Sequence, residues 1–124
     1  MIGHASASTW LAEQPPSTVD LLYVDPPFNS GRVQARGEVS YQDNLSRSDY
    51  VACLRTVITP AASALKPGGA LWVHCVESAD WLVRSVLEEE ARLVFQNSVV
   101  WNYYNKISNA TRRFASAHDT LFLF

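Results

Sequence analysis

Asp25-Pro26-Pro27-Phe28 sets a carboxylate, two prolines and an aromatic ring in consecutive positions. The apolar run Leu21-Leu22-Tyr23-Val24 precedes them and Asn29-Ser30-Gly31 follows. Each residue type brings a defined chemistry. Asp25 is a hydrogen-bond acceptor. A proline has no N–H, so its carbonyl points outward without a competing local donor. The Pro26 carbonyl and Asp25 can therefore accept both hydrogens of one –NH₂ group. Phe28 offers a flat apolar face to a planar ring. The prolines fix φ and hold the acceptors in place, so little reorganisation accompanies reaction. A planar heterocycle with an exocyclic amine, adenine or cytosine, matches this set. Such an amine is a poor nucleophile because its lone pair is delocalised into the ring. Two acceptors drawing on its hydrogens favour a tetrahedral nitrogen that can attack an electrophilic methyl group.

The elements around the motif must present it at a strand end. Val19–Val24 reads as a strand, and its continuous apolar character predicts burial on both faces. In open α/β sheets, ligands sit at the carboxyl ends of the strands. Residues 29–46 read as a polar loop. Ser46 or Ser48 caps a helix to about Leu65, with Asp49 in its first turn. Tyr50, Leu54, Val57, Ile58, Ala61 and Leu65 share one face, and Pro60 predicts a kink or a break. Lys66-Pro67-Gly68-Gly69 punctuates the end of that helix. Ala70–Cys75 is the next strand. Ser78 caps a second helix to about Ala91, with Trp81, Leu82, Val86 and Leu87 inward. Val94–Trp101 and Thr120–Phe124 are two more strands, which lack a crossover helix and so pair antiparallel. The βαβ order implies an α/β fold with a mostly parallel sheet, a C-terminal antiparallel hairpin and helices on the faces.

Composition is consistent with a single domain over residues 1–124. Hydrophobic residues make up 48% of the chain, enough for a core, and no run reaches the 18 apolar residues that a membrane span needs. The N-terminal segment MIGHASASTW is not a signal peptide, lacking a basic start and an apolar stretch. Cys53 and Cys75 show no metal spacing and read as buried free thiols of a cytoplasmic protein.

Asp25-Pro26-Pro27-Phe28 resembles the Asp-Pro-Pro-aromatic motif of amino-group DNA methyltransferases, which act on adenine N6 or cytosine N4. The likeness extends through Asn29-Ser30-Gly31, VSYQDN (39–44), LKPGGALWVHC (65–75), VVWN (99–102) and RRFASAHDTLFLF (112–124), in the family's order. The resemblance implies a partial Rossmann-like methyltransferase fold, S-adenosylmethionine as cofactor and double-stranded DNA as partner. It implies catalytic roles for Asp25, Pro26, Pro27 and Phe28, with Asp25 also facing the cofactor. Asp at the first motif position resembles adenine N6 enzymes more than cytosine N4 enzymes. The family's glycine-rich Phe-x-Gly-x-Gly turn does not occur here. Gly68-Gly69 follows a helix and precedes a strand, the wrong order for such a fingerprint. Only 24 residues precede Asp25. The resemblance is therefore to the permuted arrangement, motif first. The chain is expected to be its catalytic half, with the cofactor site completed by a second chain or a C-terminal segment, and with low or absent activity alone. His4 stands where the family carries an acidic residue, which weakens that segment as a cofactor contact.

The net charge of −2 argues against strong nonspecific DNA binding. Arg32, Arg36 and Arg47 fall in one predicted loop, and Lys106, Arg112 and Arg113 in another. The second loop, 102–117, has no acidic residue and carries Tyr103 and Tyr104. Interleaved basic and aromatic residues suit phosphate contact and base stacking. Asn29, Arg32, Arg36, Lys106, Arg112 and Arg113 are the candidate DNA contacts. The His118-Asp119 pair reads as a structural hydrogen bond, His74 as a residue lining the cleft, and Trp101 as core or cleft wall. The Glu88-Glu89-Glu90 run reads as a solvated face. Two rivals stand beside the DNA enzyme: a binding module that keeps the base pocket only, and a methyltransferase for an amide or an RNA base.

Overall fold

The computed structural model describes residues 5–36, 39–104, 111–112 and 114–124. Elements run α1 (Ala7–Ala12), β1 (Val19–Val24), β2 (Arg32–Arg36), β3 (Val39–Asp43), α2 (Arg47–Ala64), β4 (Leu65–Val76), α3 (Asp80–Ser85), a π-helical turn Val86–Glu90, β5 (Asn97–Asn102) and β6 (His118–Leu123). The main sheet has the order β1-β4-β6-β5. β1 and β4 pair parallel, and β6 pairs antiparallel with both β4 and β5. β1, β4 and β5 thus run in one direction and β6 opposes them. The fold is α/β with a mixed sheet.

α2 begins where its cap predicts. The Ser46 hydroxyl accepts from the Asp49 amide, and Tyr50, Leu54, Ile58 and Ala61 form its buried stripe. The helix is continuous through Pro60, so the expected break does not occur. Its last carbonyls are not orphaned: Ser17 N–H bonds Ser63 O at 3.0 Å and Thr18 N–H bonds Ala64 O at 2.9 Å. These bonds satisfy the helix terminus and fix the entry to β1.

β4 starts earlier than the glycines predict. Val19 pairs with Leu65 and Leu21 with Ala70, so Lys66–Gly69 bulges out of the ladder. Gly69 is required there, because a Cβ would come within 2.9 Å of Lys66 O and 3.1 Å of Asp20 O. The bulge lets the strand resume in register beside β1.

Leu71, Val73 and Cys75 of β4 point to the face covered by α2, α3 and the π turn. Phe122 and Phe124 join them, with Phe95 meeting both rings edge-on. In the second helix the buried stripe is Leu82, Val83, Val86 and Leu87. Trp81, expected inward, falls on the side of α3 away from that stripe and is exposed, with the Arg47 guanidinium 4.5 Å over its ring. The cap there is not Ser78: α3 starts after Ala79, without a side-chain cap.

Two further expectations fail. Residues 29–46 are not all loop, since β2 and β3 form an antiparallel hairpin inside them. Its described apolar side chains Val33 and Tyr41 are exposed, so they give no signal of a buried face that would reveal it. β1 is not buried on both faces. It is an edge strand whose Leu22 and Val24 meet the core while Leu21 and Tyr23 are 59% and 52% exposed. The described helices pack on one face of the sheet; the other carries exposed Leu21, Tyr23, Val99 and Trp101. No helix among the described residues is long and apolar enough to cross a membrane.

Candidate functional site

Asp25 leaves the end of β1 with its side chain 57% exposed, and buried Pro26 follows. The turn after the motif is held from below. Asn29 adopts a positive φ of 50° and Gly31 one of 78°, conformations that suit an asparagine and a glycine. The reversal brings three donors onto the Asp43 carboxylate. Asn29 N–H reaches Oδ1 at 2.7 Å, while Ser30 N–H at 3.0 Å and Ser30 Oγ at 2.5 Å reach Oδ2. Asp43 is 2% exposed. Burial works against its charge, but the Ser30 and Asn29 bonds outweigh that cost and hold its pKa below the ordinary value. The Asn29 amide is occupied as well: Leu45 N–H donates to its Oδ1 at 2.7 Å and its Nδ2 donates to Leu45 O at 3.2 Å. Asn29, a candidate DNA contact on sequence, is instead the clasp between the motif and the start of α2. Beneath the motif, the Tyr50 hydroxyl donates to Pro27 O at 2.8 Å. Burial pushes that phenol's pKa up, so it stays a neutral donor.

Asp25, Pro26, Pro27 and Phe28 line a cavity of about 340 Å³ together with Tyr41 of β3. The sequence names Tyr41 only as part of the VSYQDN segment. The hairpin that swings it over the motif is what gives it a place in the site. The cavity suits a planar ring, with aromatic walls and a carboxylate at its edge.

The open face of the sheet adds a second set. His74 of β4 has Nδ1 3.4 Å from Asp25 Oδ1 and Nε2 3.2 Å from Asp119 Oδ2. Phe28 meets the His74 ring edge-on at 5.2 Å, and the Trp101 ring lies nearly parallel to it at 6.5 Å. The Tyr103 hydroxyl donates to Asp119. That bond, with burial and the charge of Asp119, pushes the Tyr103 phenol up to about 12. Burial and the Asp25 charge raise Tyr23 as well. Asp119 therefore bonds His74 and Tyr103. His118 projects to the other face, so the adjacent His118-Asp119 pair of the sequence is not the pair that forms. Trp101 is a cleft wall, 55% exposed.

The basic candidates separate. Arg32 of β2 lines a further cavity of about 590 Å³ with Ser30, Gln34, Glu77, Ser116 and Asp119. The hairpin and the segment before β6 thus meet beside the site. Arg36 closes β2, and Arg112 is exposed. Arg47 belongs to α2 rather than to a loop. Lys106 and Arg113 lie outside the described residues, as does His4. Tyr104 and Phe114 flank the undescribed stretch and are almost fully exposed. Cys53 and Cys75 are both free, and burial pushes the Cys75 thiol up to about 12.

Residues 19–124 match the sequence profile of the DNA methylase family that acts at N6 and N4 amino groups. The chain belongs to that family, whose members transfer methyl groups from S-adenosylmethionine. It is 24% identical over 108 residues to the type II methyltransferase M.HpaI of Haemophilus parainfluenzae, covering 87% of this chain and 33% of that protein. Its fold is similar to that of PvuII DNA methyltransferase, a cytosine-N4-specific enzyme. There the TM-score is 0.73 at 18% identity, over 96% of this chain and 46% of that one. It is also similar to M1.HpyAVI, solved as a complex with S-adenosylmethionine. The TM-score is 0.64 at 18% identity, over 99% of this chain and 52% of that one. The chain spans a third of the length of M.HpaI and about half that of the solved relatives.

Proposed function

We propose that this chain is the catalytic half of a DNA methyltransferase acting on the exocyclic amine of a flipped base, most directly adenine N6. The observation that carries the proposal is the motif cavity: the Asp25 carboxylate and the half-buried Phe28 ring share one opening at a strand end. The target amine cannot be reached in the stack, so the base leaves the duplex at a cost of about a few kcal/mol. Phe28, with Tyr41 opposite, receives the extruded ring. Asp25 and the Pro26 carbonyl accept the hydrogens of the amine and favour a localised lone pair on nitrogen. The turn beneath is fixed by Asp43, Asn29 and Tyr50, so the acceptors do not reorganise during reaction. The donor set fits S-adenosylmethionine: an exposed carboxylate and aromatic faces attract a cationic sulfonium. When bound, that cofactor supplies the electrophilic methyl group. Asp25 then takes up a proton released from the methylated amine.

Adenine is favoured by aspartate at the first motif position; the likeness to a cytosine-N4-specific fold keeps cytosine N4 as the second reading. Arg32, Arg36, Lys106, Arg112 and Arg113 are proposed to contact the double-stranded DNA backbone. No Phe-x-Gly-x-Gly turn occurs among the 124 residues, so cofactor contacts beyond Asp25 are proposed to come from a second chain or a further segment. Calorimetric binding of S-adenosylmethionine at micromolar strength by the chain alone would overturn that division of labour.

The test uses the complete enzyme, this chain together with the segment or partner that completes the cofactor site, with methyl-labelled S-adenosylmethionine, duplex DNA and digestion to nucleosides. Label should appear in N6-methyladenine. Asp25→Ala should lower transfer at least about a thousandfold, with an unchanged unfolding midpoint. Label in cytosine would select the second reading, and full activity in Asp25→Ala would refute the site.

A further inference from the structure

The chain Tyr103–Asp119–His74–Asp25 crosses the open face from β5 to β1, and the methyl-transfer chemistry proposed above uses only its last member. Its parts come from four strands or strand ends, brought together by the sheet order. Val76 pairs with Asp119 and Trp101 with Asp119, so β6 sits centrally and Asp119 faces both neighbours. Asp119 is 5% exposed and bonds both the His74 ring and the Tyr103 hydroxyl. The Nε2 hydrogen bond to Asp119 orients the ring, and Nδ1 lies 3.4 Å from Asp25 Oδ1.

We propose that His74 is a positioning residue for Asp25, with Asp119 orienting the imidazole through Nε2 so that Nδ1 holds one carboxylate oxygen and leaves Oδ2 for the amine. This rests on Asp25 being the amine's acceptor. The physical need is plain: Asp25 is half in solvent and its carboxylate would otherwise rotate between several orientations. A fixed orientation is worth more than a mobile one because the acceptor must be in place when the nitrogen becomes tetrahedral. Phe28 and Trp101 flank the ring and keep it from turning away. The titratable groups facing His74 are Asp25 from β1, Asp119 from β6 and, through Asp119, Tyr103 from the end of β5; Tyr23 lies beside Asp25.

Two measurements decide it. Nitrogen-15 spectra of the histidine rings in the chain should show a slowly exchanging Nε2–H on His74. Asp119→Asn should abolish its slow exchange, and Asp25→Asn should move the Nδ1 resonance. If either substitution leaves its nitrogen unchanged, the arrangement is wrong, whether or not the protein methylates DNA. In the methyl-transfer assay, His74→Ala should lower kcat about tenfold or more with KM for DNA unchanged. His74→Gln should restore part of it through its amide donor. Asp119→Asn should cost a similar factor in the wild-type background and nothing further in His74→Ala. Unchanged kcat in these variants, or a change in KM alone, would overturn the role of His74. Loss of all dependence on Asp25 would instead overturn the methyltransferase reading, with the ring spectra still deciding the contact.

Discussion

The two faces of the four-stranded sheet follow different rules. The face under α2, α3 and the π turn is aliphatic and aromatic and closed to water, with Leu71, Val73 and Cys75 at its centre. The opposite face, one residue along each strand, carries Tyr23, His74, Asp119 and Trp101. The alternation of side chains along a strand separates these two sets without any change of backbone. Stability is concentrated on one side and chemistry on the other, and Asp25 stands where the open side meets the strand end.

The largest contrast is expected from truncation. Leu71→Ala removes a fully buried side chain and should cost about 2–5 kcal/mol in urea unfolding. Leu21→Ala, on the neighbouring strand one register position from Leu71 but on the open face, should cost under about 1 kcal/mol. Equal losses would show that the open face is packed in solution and would break the comparison.

Asp43 tests the boundary between the faces. Asp43→Asn weakens three bonds to a buried carboxylate and should cost about 2 kcal/mol. Faster amide exchange should follow at Asn29 and Ser30. Because its folded pKa lies below 3.8, its stabilisation is complete above that pH and lost as pH falls through the folded value.

The smallest effect is on the alkaline side. The Cys75 thiol stays neutral in the fold up to about 12, whereas its ordinary value is 9.0. The unfolded chain therefore releases a proton first, and stability falls as pH rises above 9. Between pH 9 and 10 the share of the slope from Cys75 should be at most about 1.4 kcal/mol per pH unit, with the raised phenols of Tyr50 and Tyr103 adding to it as pH nears 10. Cys75→Ala should remove that share; an unchanged slope would locate the titration elsewhere.

Much of the covered face was legible in the sequence. The helical spacing of Tyr50, Leu54, Ile58 and Ala61 and the cap at Ser46 hold in the structure. So do the bounds of β1. What failed were elements without an apolar signature of their own. The described apolar side chains of the β2–β3 hairpin, Val33 and Tyr41, are exposed, so they announce no buried face. The exposure of Leu21 and Tyr23 depends on β1 being an edge strand, which is a property of strand order. Trp81 reads as core by composition, but it falls on the solvent side of the first turn of α3.

The sequence alone determined the motif, its chemistry and its place at a strand end. A run of four adjacent residues carries its own geometry, through fixed proline φ angles and an apolar strand before it. Only the tertiary structure decided what stands around it. Asn29 became a clasp rather than a contact, Tyr41 a pocket wall, and His74 a bridge between Asp25 and Asp119. Those roles join residues up to 49 positions apart in the chain. Strand order and register set such distances, and they leave no local pattern to read.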